Sequence, residues 1–142
     1  MDVPRLFRVL VEVADLDRAM TFYSSLLGIP GRKVGGGRAY YDCGATIVGL
    51  VDVALGKQQP RAAWQDLYFA VTRVEEFHGR AAALGCLSQE DVHGQRAGDL
   101  VVRPWGERCF YAQDPWGNGL CFSDETTLFT GREAGGRGHD RA

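Results

Sequence analysis

From Arg8 to Val13 apolar and polar side chains alternate, with Val9, Val11 and Val13 on one side and Arg8, Leu10 and Glu12 on the other. A period of two in a β-branched run predicts a strand with one face on a helix layer. The period then lengthens: Ala19, Met20, Phe22, Tyr23, Leu26 and Leu27 make a helical stripe. Asp15 or Asp17 can cap its start, and Gly28 followed by Pro30 stops it. Residues 38–42 and 46–51 read as strands on either side of Cys43-Gly44, and the polar, turn-rich stretch 54–63 reads as a linker.

The same order then recurs. Leu67, Phe69 and Val71 alternate with Asp66, Tyr68 and Ala70, and Val74, Phe77, Ala81, Ala82 and Leu84 follow at helical spacing before Gly85. Val11 to Leu16 superimposes on Phe69 to Val74 at an offset of 58 residues, the distance from Arg8 to Asp66. Strand running into helix at a constant offset signals an internal duplication. The last pattern is a hairpin, with Phe110-Tyr111 before and Leu120-Cys121-Phe122 after the turn-forming run Asp114-Pro115-Trp116-Gly117-Asn118-Gly119. The expected class is α+β: two βαβββ modules, residues 6–53 and 64–129, whose curved mixed sheets form a cleft within one domain spanning 1–129. Residues 130–142, glycines among charges with almost nothing apolar, are expected to form a mobile tail.

Composition narrows the function. The chain has 142 residues, is 45% hydrophobic and carries a net charge of −2 with a pI of about 5.9, so nothing favours nucleic acid. No run of 18 apolar residues exists and the N-terminus lacks a signal-peptide layout, so a cytoplasmic protein without membrane contact is expected. The four cysteines contain no C-x-x-C pair, which fits free thiols better than a disulfide scaffold or zinc site. Gly35-Gly36-Gly37 reads as a loop, because no strand leads into it and no helix opens from it as a phosphate cradle requires. His78 falls on the polar side of the second helix and is expected at the surface. His93 lies in a loop beside Gly94 and His139 in the tail, neither with a partner at ligand spacing.

Val11 to Gly28 (VEVADLDRAMTFYSSLLG), Phe110 to Leu120 (FYAQDPWGNGL) and the repeated unit from Asp66 to Gly85 together resemble the vicinal oxygen chelate superfamily. Its members include glyoxalase I, extradiol dioxygenases, fosfomycin-modifying thiol transferases and bleomycin-resistance binding proteins. The resemblance spans Leu6 to Phe129 and implies a fold that hosts several chemistries as well as simple binding. Members usually hold a divalent metal with His at the start of each module's first strand and Glu in its last strand. Those first-strand positions are Arg8 and Asp66 here, the final-strand position is Cys121, and Ile47 to Leu50 offers no ligand. A guanidinium, one carboxylate and one thiol do not make a metal site, so no metal and no cofactor are expected.

The resemblance therefore implies binding of the bleomycin-resistance type, in which a homodimer sequesters a small molecule, such as an antibiotic, in its cleft. Arg8, Glu12, Tyr40, Asp66, Tyr68, Trp105, Tyr111 and Cys121 are the expected cleft residues. Aromatic rings would stack on the ligand, Glu12 and Asp66 would meet its cationic groups, and Arg8 and Asp66 would pair where relatives hold metal. Cys121 is either an inert buried thiol or one activated by Arg8. Arg103 and Arg108 would meet an anionic group or solvent, and Trp116 is the turn's exposed residue. The alternative is a lyase, isomerase, thiol transferase or dioxygenase-like enzyme using Glu12, Cys121, Tyr111 or an atypical metal site.

Overall fold

The computed structural model describes residues 2–132; the tail beyond Arg132, His139 included, lies outside them. The chain forms two compact units, Met1–Trp64 joined by Pro115–Asn118, and Gln65–Asp114 joined by the chain from Gly119 onward. No helix among the described residues is long and apolar enough to cross a membrane.

Unit 1 runs β1 (Arg8–Val13), α1 (Leu16–Leu27), β2 (Arg32–Gly35), β3 (Arg38–Cys43) and β4 (Thr46–Asp52). Its sheet has the order β1-β4-β3-β2, with β1 parallel to β4 and the other pairs antiparallel. In this register Val11 lies beside Leu50 and Leu50 beside Ala39, all buried, and α1 packs on that face with Phe22, Tyr23, Leu26 and Leu27. Asp15 is the residue that caps α1, its carboxylate accepting the Arg18 N–H, and Gly28 ends the helix at φ 72°. Tyr41 fastens sheet to helix: it is fully buried, its hydroxyl donates to the Met20 carbonyl at 3.0 Å, and it shares a 2.8 Å hydrogen bond with Ser24. Gly31 has to be glycine, since a Cβ there would fall 2.5 Å from the Tyr41 ring.

Strand β2 escaped the sequence pattern because Arg32-Lys33-Val34-Gly35 is exposed throughout and has no apolar alternation to display. The expected linker also has structure of its own. Val53–Gly56 is a turn of 3₁₀ helix, and Arg61 reaches the Glu12 carboxylate at 2.8 Å. The Pro115–Asn118 turn belongs to unit 1 through Asn118, which is fully buried. Its side-chain carbonyl accepts the Ala63 N–H at 2.8 Å, and its amide donates to the Glu12 carbonyl at 3.0 Å.

Unit 2 runs β5 (Leu67–Val71), α2 (Val74–Ala83), β6 (Asp91–Val92), β7 (Gln95–Arg96), β8 (Val101–Val102), β9 (Arg108–Gln113) and β10 (Gly119–Asp124). The main sheet has the order β5-β10-β9-β8, β5 parallel to β10, while β6 and β7 form a separate small hairpin. One face carries a stack of aromatics under α2: Phe122 lies 5.0 Å from Phe69, 5.3 Å from Phe77 and 5.4 Å from Phe110, centroid to centroid. The other face, which α2 does not cover, bears Tyr68, Cys109, Tyr111, Cys121 and Ser123 in adjacent register positions.

Two stability outcomes follow from these contacts. Asn118→Ala strips partners from two backbone groups and is expected to lower the unfolding free energy by about 1–3 kcal/mol, read as a shifted urea midpoint at constant slope. Phe122→Ala removes the centre of the aromatic stack and is expected to cost about 3–5 kcal/mol in the same measurement.

Candidate functional site

The uncovered face of the unit 2 sheet floors a cavity of about 370 Å³, walled by Asp66, Tyr68, Tyr111, Trp105, Glu90 and His93 among others. The wall is built from three directions. Asp66 immediately precedes β5, Tyr68 and Tyr111 belong to β5 and β9, and the β6–β7 hairpin contributes His93. His93 and Gly94 form that hairpin's two-residue turn with φ of 51° and 77°, the left-handed pair such a turn requires. The His93 ring meets Trp105 edge-on at 5.2 Å, and Tyr68 meets Tyr111 edge-on at 6.4 Å. Tyr68 is 65% exposed, so an aromatic surface stands open to solvent inside the hollow. A second hollow of about 400 Å³ lies across Tyr68 and Trp105, lined also by Ser123, Leu128 and Phe129.

The acid of the cavity is Asp66. Burial raises its pKa above the ordinary carboxylate value, and the neighbouring Glu90 carboxylate adds to the rise. Gly119 makes room for it, since a Cβ at that position would collide with the Asp66 carboxylate. Glu90 accepts a hydrogen bond from the Gln113 amide at 3.1 Å. Tyr68 and Tyr111 are both held protonated, first by desolvation and then by nearby negative groups.

Behind this wall sits Arg103, only 2% exposed. The sequence left it to an anionic ligand or to solvent, and it meets neither. Its guanidinium donates to the carbonyls of Arg96 (3.2 Å), Ala97 (2.9 Å), Asp99 (2.7 Å) and Cys109 (3.2 Å), and lies 5.5 Å from the Tyr111 ring centroid. Cys121 shares the sheet face with Tyr68 and Tyr111 but is completely buried, so it underlies the cavity without opening into it. A hydrogen bond shared with Cys109, followed by burial, holds its proton on, so Cys121 is no activated thiol. Arg108 pairs with Glu75 at 2.6 Å, and Trp116 is half-buried under the Arg18 guanidinium rather than exposed. His78 is also half-buried, its Nε2 3.0 Å from the Gly98 carbonyl and its ring edge-on to Phe110. It faces sideways off α2 into the sheet instead of outward.

The remaining candidates lie in unit 1. Arg8 has its guanidinium 4.8 Å from the Phe7 ring centroid and 5.8 Å from that of Tyr40. Arg32 approaches Tyr40 as well, at 5.6 Å. Glu12 is engaged: Arg61 binds it through backbone and guanidinium, which holds its pKa low and removes it as a general base. The donor chemistry does not fit the superfamily's divalent metal. Arg8 offers no lone pair, Cys121 is buried against Cys109 and Ser123, and no cluster of three His, Cys, Asp or Glu side chains occurs among the described residues.

Glu90 is absent from the sequence reading, which set His93 aside as a loop residue and left Arg103 to an anionic group or solvent. The alternation of β9, Cys109 and Tyr111 against Phe110 and Ala112, would have exposed Cys109 as a face-mate of Tyr111. Nothing local marks Arg103 for burial, because its partners are backbone carbonyls.

No family model matches the chain, and no curated protein matches it. Solved structures do. A glyoxalase/bleomycin resistance protein from Albidiferax ferrireducens T118 superposes with a TM-score of 0.68 at 25% identity, over 84% of this chain and 97% of that one. A member of the glyoxalase/bleomycin resistance protein/dioxygenase superfamily from Sphaerobacter thermophilus DSM 20745 gives 0.61 at 18% identity, over 87% and 98%. The oxidase ChaP-H2 gives 0.69 at 19% identity, over 87% and 94%. With two α-helices and two mixed four-stranded sheets of matching strand order among the described residues, the chain has the α+β vicinal oxygen chelate fold of the glyoxalase and bleomycin-resistance proteins.

Proposed function

We propose that the chain binds a small molecule with a flat apolar surface and a positive charge in the unit 2 cavity, and holds it rather than converting it. The observation that carries this reading is Asp66, a partly desolvated carboxylate beside a second carboxylate, Glu90, in a hollow walled by Tyr68, Tyr111 and Trp105. An amine or quaternary ammonium entering there relieves the repulsion between the two acids, and the aromatic faces attract it further. The volume of about 370 Å³ lies within the range of small-molecule sites. The Albidiferax ferrireducens neighbour, at 25% identity, is a glyoxalase/bleomycin resistance protein by name, which supports a small-molecule-binding reading. Assembly as a homodimer belongs to the same reading and is checked by sedimentation.

Sequestration is favoured over turnover by the protonation states of the wall. Tyr68, Tyr111 and Cys121 all have raised pKa values and keep their protons at neutral pH, and Glu12 is bound by Arg61. A lyase or isomerase working in this cavity would draw its base from Asp66, Glu90 or His93.

Calorimetric titration with matched aromatic compounds differing only in one trimethylammonium, neutral or carboxylate substituent tests the reading. The ammonium compound should bind at least about tenfold more tightly, and Asp66→Asn should remove that preference. Equal affinity for all three compounds would refute it. A proton on Asp66 competes with the cation, and the Asp66 pKa lies above its ordinary value. Affinity for the permanently charged compound should therefore be weak in acid, rise with pH by up to about tenfold per unit below the raised Asp66 pKa, and level off once the pH has passed it. At 100 times its Kd the compound should stabilise the fold by about 2.7 kcal/mol.

A further inference from the structure

The second hollow, across Tyr68 and Trp105, has no part in the cation site, yet it lies on the same sheet face. Strands β5 and β10 run parallel, and the two hollows sit at opposite ends of this pair. Asp66 and Gly119 line the first; Ala70 and Ser123, which are register partners, line the second. Asp66 and Ala70 are four residues apart, which places the two ends roughly 13 Å from each other along the strands. Small residues cut the floor low at each end, since Gly119 has no side chain and Ala70 and Ser123 rise little above the backbone. Tyr68 and Trp105 are walls of both hollows, so one molecule lying along β5 can touch these rings and occupy both spaces.

The two ends differ in chemistry. Asp66 and Glu90 put two carboxylates into the first lining, whereas the second contains Phe69, Leu128 and Phe129. Its one carboxylate among the described residues, Glu107, is already committed. Glu107 Oε1 accepts the Trp105 Nε1–H at 2.8 Å, and its Oε2 accepts the Phe129 N–H at 3.0 Å. These two bonds fix the Trp105 turn against the segment after β10 before any ligand arrives. Leu128 is 39% exposed beside the open Tyr68 ring, and covering such surface is favourable in proportion to its area.

We propose that the ligand is elongated, with a cationic head at Asp66, a flat middle against Tyr68 and Trp105, and an uncharged apolar arm in the second hollow. This rests on the cation-binding reading and adds to it the length of the molecule and the order of its parts. Charge decides which end goes where. An ammonium group in the second hollow would meet a carboxylate whose two oxygens already hold N–H donors, whereas in the first it separates two repelling acids. An apolar arm at the Asp66 end would strip water from carboxylates and replace it with nothing. A short cation fills the first hollow and leaves the Leu128 wall bare.

Three probes separate these points: benzyltrimethylammonium, its para-hexyl derivative, and the same hexyl compound ended by a second trimethylammonium. Each is titrated calorimetrically into the full-length protein below its own aggregation concentration. The hexyl compound should bind at least about tenfold more tightly than the short one, and the second charge should cancel that gain. Leu128→Asp should abolish the hexyl gain while affinity for the short compound stays within about twofold. Ala70→Tyr, which fills the second hollow, should do the same and serves if Leu128→Asp does not fold. Asp66→Asn against the short compound reads the cation site by itself. Asp66-dependent binding with equal affinity for the short and hexyl compounds would overturn this inference alone, and is the result expected if a second copy of the chain occupies the second hollow. A hexyl gain that both variants leave intact, or tightest binding by the doubly charged compound, would overturn it as well. Binding that ignores Asp66→Asn, or no binding by any probe, would sink the cation-binding reading and this inference together.

Discussion

The Arg103 guanidinium ties the backbone after β7 to strand β9 by donating to four carbonyls. Two of those carbonyls also accept a backbone N–H, Arg96 from Asp99 and Ala97 from Tyr111, and the guanidinium joins these short segments to β9. A buried carbonyl without a donor is expensive, and one planar five-donor group meets several at once. The cavity depends on this arrangement: Ala97 forms part of its wall, and Trp105 stands in the tight turn closed by the Gly106 N–H on the Arg103 carbonyl. Without the guanidinium the short strands would have little to fix their positions.

Unit 1 solves a similar problem with neutral groups. Tyr41 passes its hydroxyl through the core to α1, and Asn118 satisfies backbone groups of Ala63 and Glu12 from a turn distant in sequence. Neither needs a charge in the interior, and the uncovered side of this sheet has spent its charged groups locally. Glu12 is engaged by Arg61, Asp42 by Arg32, and Arg8 lies against aromatic rings. In unit 2, by contrast, burial and the nearby charge of Glu90 both act against ionisation of Asp66.

Much of this architecture is legible in the sequence because it is periodic. Alternation in Arg8–Val13 and Leu67–Val71, the stripe of α1 and the hairpin around Asp114 to Gly119 each encode a buried face that repeats at fixed spacing. Strand β2 and the two-residue strands bury too little to leave such a pattern. The site divides along the same line. Asp66, Tyr68 and Tyr111 are found by face-counting, whereas Glu90 and His93 arrive on a hairpin whose position is set by tertiary contacts. Arg103 belongs to neither group: a lone arginine near a Pro-Trp-Gly turn looks solvent-bound until the carbonyls that surround it are known. Cys121 shows the opposite limit, since its face was readable from alternation but its depth was not.

The β6–β7 hairpin has a kinetic consequence. It contributes Val92 and His93 to the cavity lining from strands of only two residues each, while the main sheet has four strands and is backed by stacked aromatics. Local opening free energy follows the number of protected backbone bonds and buried contacts, so the hairpin should open far more often than the main sheet. For any occupant of this hollow, the dwell time would then be governed by how the His93-Gly94 tip lifts away from Trp105. Changes at that tip could lengthen or shorten occupancy while leaving the contacts of the bound state intact.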